Sequence, residues 1–195
     1  MNLPFKVERP PGLNRDEWLA KLALIGTNLA KQNAKANLVL IGGATGIFAG
    51  QPARTSIDID VWKPRSTYQY AQLKQAVEDA GLLFDPKGVL EPDKPYVQMI
   101  EPGLCQTGKF EKTEPLENFG ALTTERPPIA NLIAGKLVRG EPRDIEDIAY
   151  LMATFRPDRA SIEKAVRSMP FEAMDKAKEN LVYLDVISAN TPGIE

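Results

Sequence analysis

Asp58 and Asp60 stand one residue apart in Ser56-Ile57-Asp58-Ile59-Asp60-Val61-Trp62, a stretch in which apolar and polar residues alternate. On a strand, residues two apart project from the same face about 6–7 Å from each other, so two carboxylates so placed can converge on one divalent cation or a pair of them. The acid-x-acid spacing alone carries no weight. Composition predicts about three or four chance occurrences, and three are present: Asp58/Asp60, Glu91/Asp93 and Asp144/Glu146. The first pair is set apart by the apolar residues Ile57, Ile59, Val61 and Trp62 that anchor its strand. The competing reading is an edge strand whose polar face happens to be acidic, but two like charges side by side repel unless a cation lies between them.

Three further clusters can act on phosphate. Gly42-Gly43 closes the apolar run 38–41, and glycines at a strand-to-helix junction let backbone N–H groups approach an anion closely, although a tight turn explains them equally. Arg54-Thr55 precedes the acidic strand, where the guanidinium can clamp a phosphate or simply pair with Asp58 or Asp60. Lys136, Arg139, Arg143, Asp144 and Asp147 follow at helical spacings, with Arg143 and Asp147 at i, i+4. They read either as a salt-bridged corner between two helices or as a lysine and an arginine reaching a triphosphate while Asp144 or Asp147 orients them. A rival to all of this is the dinucleotide-type pattern Gly43-Ala44-Thr45-Gly46-Ile47-Phe48-Ala49 with Asp60 as ribose ligand.

Composition removes other chemistries. The 195 residues include no histidine and one cysteine, Cys105, so the chain builds no Ser-His-Asp or Cys-His nucleophile, no histidine zinc site and no internal disulfide. A metal would be held by oxygen ligands, which favours Mg²⁺ or Mn²⁺. The net charge of −2 gives no global positive field for nucleic acid, although a local basic patch is compatible with it. No apolar run approaches the ~20 residues of a membrane span, and the first residues lack the apolar block of a signal peptide, so a cytoplasmic protein without membrane association is expected.

The elements that must carry these residues follow from periodicity. Asn14 and Glu17 form a capping box before a helix with Trp18, Leu22, Ile25 and Leu29 inward. A buried strand covers 38–41, a turn or two of helix 44–49, and a strand 56–62. A helix is expected over 66–80 with Gly81 after it, then short strands over 82–122 with turns at 85–88, at 101–103 and at Gly108. Helices follow from Pro128 to Gly140, with Ile129, Leu132, Ile133 and Leu137 inward, and from Pro142, with Ile145, Ile148, Ala149 and Met152 inward. A last helix, 171–189, carries Met174, Ala177, Leu181 and Leu184. Pro4, Pro10 and Pro11 point to an irregular surface path over 1–13. The sum is an α+β fold: a mixed-sheet core over 1–125 and a helical region over 126–195.

Taken in order, Ile41-Gly42-Gly43, Arg54-Thr55-Ser56-Ile57-Asp58-Ile59-Asp60-Val61, and Lys136-Leu137-Val138-Arg139 with Arg143-Asp144-Ile145-Glu146-Asp147-Ile148 resemble the DNA polymerase beta-like nucleotidyltransferase superfamily. The likeness is nearest to its small bacterial branches, among them the toxin halves of abortive-infection toxin–antitoxin pairs. The resemblance implies a nucleotidyltransferase-type sheet core, with Gly42 and Gly43 at the nucleotide phosphates and Asp58 and Asp60 on the catalytic divalent metal. It matches Lys136 and Asp144 or Asp147 to the later lysine and aspartate of the toxin-like branch. A third metal carboxylate is expected on a later strand, with Glu101 its best candidate. The implied activity is transfer of a nucleoside monophosphate from a nucleoside triphosphate to RNA, protein or a small molecule, with an antitoxin as a partner if the toxin likeness holds. The alternative is a catalytically inactive relative that binds a nucleotide or a partner.

Overall fold

A computed structural model describes residues 12–87 and 94–190; the proline-rich stretch 1–11, Gly88 of the expected turn and the pair Glu91/Asp93 lie outside the described residues. The capping box forms as the sequence predicts, Glu17 N donating to Asn14 Oδ1 at 3.0 Å and Asn14 N to Glu17 Oε2 at 2.8 Å. It opens α1 (Arg15–Lys31), which buries Trp18, Leu22, Ile25 and Leu29. There follow β1 (Ala36–Ile41), α2 (Ala44–Phe48), β2 (Asp58–Trp62), a 3-10 turn (Lys63–Arg65), α3 (Tyr70–Asp79), β3 (Leu83–Phe84), β4 (Tyr96–Ile100), β5 (Glu114–Phe119) and β6 (Leu122–Arg126). The remainder is helical: α4 (Ile129–Arg139), α5 (Pro142–Phe155), α6 (Arg159–Arg167), α7 (Phe171–Glu179) and α8 (Val182–Asn190). Among the described residues no helix is long and apolar enough to cross a membrane.

The strands form a mixed six-stranded sheet in the order β3-β4-β2-β1-β6-β5. β1 runs antiparallel to β2 and parallel to β6, while β2, β4 and β3 are mutually parallel neighbours and β5 is antiparallel to β6. Period-two alternation then sorts the side chains. Leu40 lies opposite Val61 and Ile41 opposite Asp60, so Leu38, Leu40, Ile59, Val61, Val97 and Met99 share one core with Trp18 and Leu22 of α1 and Leu73 and Val77 of α3. On the other face Ile41 belongs to a second core with Ile133, Leu137, Ile148, Leu151 and Ile162, and Trp62 and Ile100 pack against it. Asp58 and Asp60 sit on this second face. The arrangement is the expected α+β one.

Several expectations change in detail. The helix predicted from residue 66 starts at Tyr70, because Ser66 and Thr67 find competing partners. Ser66 Oγ accepts from Val39 N at 2.9 Å and donates to Trp62 O at 2.8 Å, and Thr67 exchanges two backbone bonds with Asn37, a common fate of hydroxyl residues near helix starts. The single helix over 171–189 is two, α7 and α8, parted at Asn180, whose Nδ2 donates to Leu137 O at 2.8 Å. The sequence reading did not separate α6, which Asp158 caps by accepting from Ser161 N at 2.8 Å. The dinucleotide reading fails on topology: its glycine helix is the five-residue α2, and the next strand, β2, is antiparallel to β1, whereas the dinucleotide unit needs a long crossover helix and parallel strands.

Candidate active site

Gly42 ends β1 in the left-handed region, φ +69°, and a Cβ there would overlap Asp60 Oδ2. Glycine is therefore required twice, by backbone conformation and by the approach of the carboxylate. Gly43 has an ordinary helical φ of −66°, and a Cβ would lie 3.2 Å from Arg54 Nη2. Thr45, fully buried, donates from Oγ1 to Gly42 O at 2.7 Å and fixes the turn. Because α2 spans five residues, its dipole adds little; an anion here would rest on backbone N–H groups and nearby cations.

The two aspartates differ in what surrounds them. Asp58 is held: Ser56 Oγ donates to its Oδ1 at 2.7 Å and Tyr96 Oη to its Oδ2 at 3.3 Å. Ser56 is itself fixed by backbone bonds with Leu13 in both directions and by Trp18 Nε1 donating to its carbonyl at 3.1 Å. Burial, then the Asp58 charge, pushes the Tyr96 phenol up to about 12, so it remains a donor. Asp60 accepts no hydrogen bond among the described residues. Its carboxyl is raised to about 7, first by burial and then by Asp58, against the opposing pull of Arg139 and Lys136. A pair of oxygen-donor side chains on one face, one of them without a hydrogen-bond partner and short of compensating charge, fits a hard divalent cation.

Behind the glycine turn lies a buried ion network. Lys136, 5% exposed, donates to Asp147 Oδ2 at 2.6 Å and lies 3.7 Å from Asp144 Oδ1. Arg139 grips Asp144 with two bonds, Nε to Oδ2 at 3.0 Å and Nη2 to Oδ1 at 2.6 Å. Arg54 Nη2 donates to Asp147 Oδ2 at 3.0 Å, while its buried Nε has no partner. Three cations against two carboxylates leave one net positive charge. A cleft of about 260 Å³ brings Gly42, Asp60, Lys136 and Arg139 together between apolar walls that include Ile41, Ile100 and Leu132.

No family model matches the chain and no curated protein matches its sequence. Among solved structures, an antigenic nucleotidyltransferase-like protein from Paracoccidioides brasiliensis is similar over 92% of this chain and 93% of that one, with a TM-score of 0.54 and 16% identity. The fold is nucleotidyltransferase-like. At that identity the likeness is one of architecture, and the roles of residues in this chain rest on its own geometry.

Within the nucleotidyltransferase-like fold, Gly42, Gly43, Asp58, Asp60, Arg54, Lys136, Arg139, Asp144 and Asp147 all gather around the same turn and cleft. Three expected residues do not. Glu101 is salt-bridged to Lys63 at 2.7 Å and Lys87 at 3.6 Å, and the Lys63 hydrogen bond draws its carboxyl below the ordinary range. Among the described residues no three His, Cys, Asp or Glu side chains form a metal-type group, so Glu101 is not a third ligand beside the pair. Thr55 is exposed. Arg143 is exposed too, and the i, i+4 pairing with Asp147 does not form, because Asp147 faces inward to Lys136 and Arg54. Arg54 likewise pairs with Asp147 rather than with Asp58 or Asp60. The sequence reading missed Tyr96 and Gln98, which stand in register beside Asp58 and Asp60 on β4. No local signal marks them, since a parallel register couples strands 38 residues apart.

Proposed function

We propose that the chain is a nucleotidyltransferase that binds a nucleoside triphosphate with Mg²⁺ or Mn²⁺ and transfers the nucleoside monophosphate to an acceptor hydroxyl. The observation that carries this reading is the cleft in which the unpartnered carboxylate of Asp60 meets the Gly42 turn, Lys136 and Arg139. Asp58 and Asp60 would hold the cation, which when bound supplies positive charge to the phosphate oxygens. Ser56 and Tyr96 keep Asp58 oriented. Lys136 and Arg139 offset charge developing on the phosphates, and their own positions are held by Asp147 and Asp144. The acceptor oxygen bonds to the α-phosphorus, the bond to the β-phosphate oxygen breaks, pyrophosphate departs, and the hydroxyl proton passes to water.

Incubation with α-labelled nucleoside triphosphates, Mg²⁺ and either bulk RNA, protein or small-molecule extract tests this reading. Label transfer by the wild type that disappears in Asp58→Ala and Asp60→Ala supports it and identifies the acceptor. A second reading, nucleotide binding without turnover, is favoured by one observation: the register neighbours of the acidic pair are Tyr96 and Gln98, not a third carboxylate. Nucleotide binding with no transfer to any acceptor class would select it. The toxin role implied by the resemblance predicts growth arrest on expression, relieved by Asp60→Ala, and an antitoxin partner that restores growth.

A further inference from the structure

A second cleft, of about 420 Å³, lies against the first, and Cys105, Gln106 and Thr107 line both. Its size falls in the ~300–1,000 Å³ range of small-molecule sites. The shared wall is pinned in place. Asn131 Nδ2 donates to the carbonyls of Thr107 and Lys109, at 2.8 and 3.3 Å, and Lys109 N donates to Ser168 Oγ at 2.7 Å.

Two polar atoms in this wall and floor have no partner. Thr107 is 4% exposed, and its Oγ1 is buried without a hydrogen bond; so is Nε1 of Trp62. Buried polar atoms are nearly always satisfied, and two exceptions lining one cleft call for an occupant. Trp62 sits on the same face of β2 as Asp60, two residues along, hence about 6–7 Å away, within the span of a nucleotide from phosphate to base. Its ring is steadied by Phe110, with centroids 5.5 Å apart. Met169 and Pro170 complete an apolar lining. A flat, neutral heterocycle with acceptor atoms on its edge suits such a slot, whereas a cation finds no carboxylate there.

We propose that this second cleft takes the nucleobase of the triphosphate, Trp62 Nε1 donating to a carbonyl oxygen or ring nitrogen of the base and Thr107 Oγ1 bonding a second atom of its edge. The inference rests on the triphosphate reading of the neighbouring cleft. It places base recognition in residues that reach the substrate from β2 and from the 105–109 segment.

Titration calorimetry of the full chain with each of the four ribonucleoside triphosphates and with inorganic tripolyphosphate, all with Mg²⁺, tests it. The expected result is that the best nucleotide binds at least about tenfold more tightly than tripolyphosphate. Trp62→Phe and Thr107→Val should each weaken nucleotide binding about five- to tenfold and leave tripolyphosphate binding unchanged. Thr107→Val should also melt at or above the wild-type temperature, because it removes a hydroxyl that has no partner in the free protein. Equal losses for both ligands, or no loss for either, would overturn the base subsite while leaving the triphosphate reading intact. A loss confined to an oligoribonucleotide acceptor would also overturn it. If the wild type binds neither tripolyphosphate nor any nucleotide, the triphosphate reading fails and the base subsite fails with it.

Discussion

Asp60 and Gly42 are tied to each other by a carboxylate that crowds the turn, and each can be tested through the other. The folded chain holds the Asp60 carboxyl at about 7, against about 3.9 for a free aspartate, so folding favours its protonated form. The stability this contributes is full below about pH 4 and is lost as pH rises through about 7. Without divalent ions, Asp60→Asn is expected to melt above the wild type at pH 8 by roughly 2–4 °C, about 1 kcal/mol. The gap should close towards pH 4–5 in thermal melts across that range; a gap independent of pH would contradict the assigned cause. Excess Mg²⁺ at pH 8 should raise the melting temperature of the wild type and not of the variant. Gly42→Ala should cost about 1–3 kcal/mol in urea unfolding, from left-handed strain and the Asp60 overlap. Gly43→Ala, at ordinary φ and facing only the end of Arg54, should cost less than about 1 kcal/mol. At this scale the sequence was informative wherever chemistry follows from adjacency: the alternating Asp58/Asp60 pair and the Gly42 turn are visible in it. It was silent on Tyr96, whose hydrogen bond to Asp58 exists only after β2 and β4 align.

The α4–α5 corner shows why the right cluster was found with the wrong pairs. Spacing put Arg143 and Asp147 on one face, but a helix face is chosen by what it buries. In α5 the buried positions are Asp144, Asp147, Ile148, Leu151 and Met152, a continuous stripe that includes both acids and leaves Arg143 outside. The apolar period therefore already contained the two aspartates. Their partner Arg54, 93 residues from Asp147, was beyond any local rule. The consequences for stability are ordered. Asp147→Ala strands Lys136 and Arg54, side chains 5% and 13% exposed, and breaking one partner of a buried pair costs about 3–5 kcal/mol. Asp144→Ala frees chiefly Arg139, whose side chain is 58% exposed and can turn to water, while Lys136 keeps Asp147. Guanidinium denaturation should thus rank Asp147→Ala as the more destabilising of the two. The reverse order would mean that Arg139–Asp144, not Lys136–Asp147, anchors the corner.

The sheet separates two apolar cores, and the candidate site lies across the division between them. The composition of the chain suggests a sheet part over 1–125 and a helical part over 126–195, and the cores do change over between Leu122 and Ile129. The cleft ignores that line: Ile41, Gly42 and Asp60 come from the sheet, and Leu132, Lys136 and Arg139 from α4. Strand order could not be read from sequence, because β1 pairs with β6 more than 80 residues later and nothing local encodes such a register. Its result is that the second face of the sheet depends on the helices. A fragment ending at residue 126 would expose Ile41, Trp62 and Ile100, and would leave Arg54 without Asp147. Such a fragment is expected to lose cooperative unfolding or to self-associate through the bared face, as measured by chemical denaturation with analytical ultracentrifugation. A monomeric fragment with a sharp transition would instead make the helices an independent lid over a self-sufficient sheet. In that case a triphosphate bound at Asp60 would have to recruit Lys136 and Arg139 on binding rather than find them already in place.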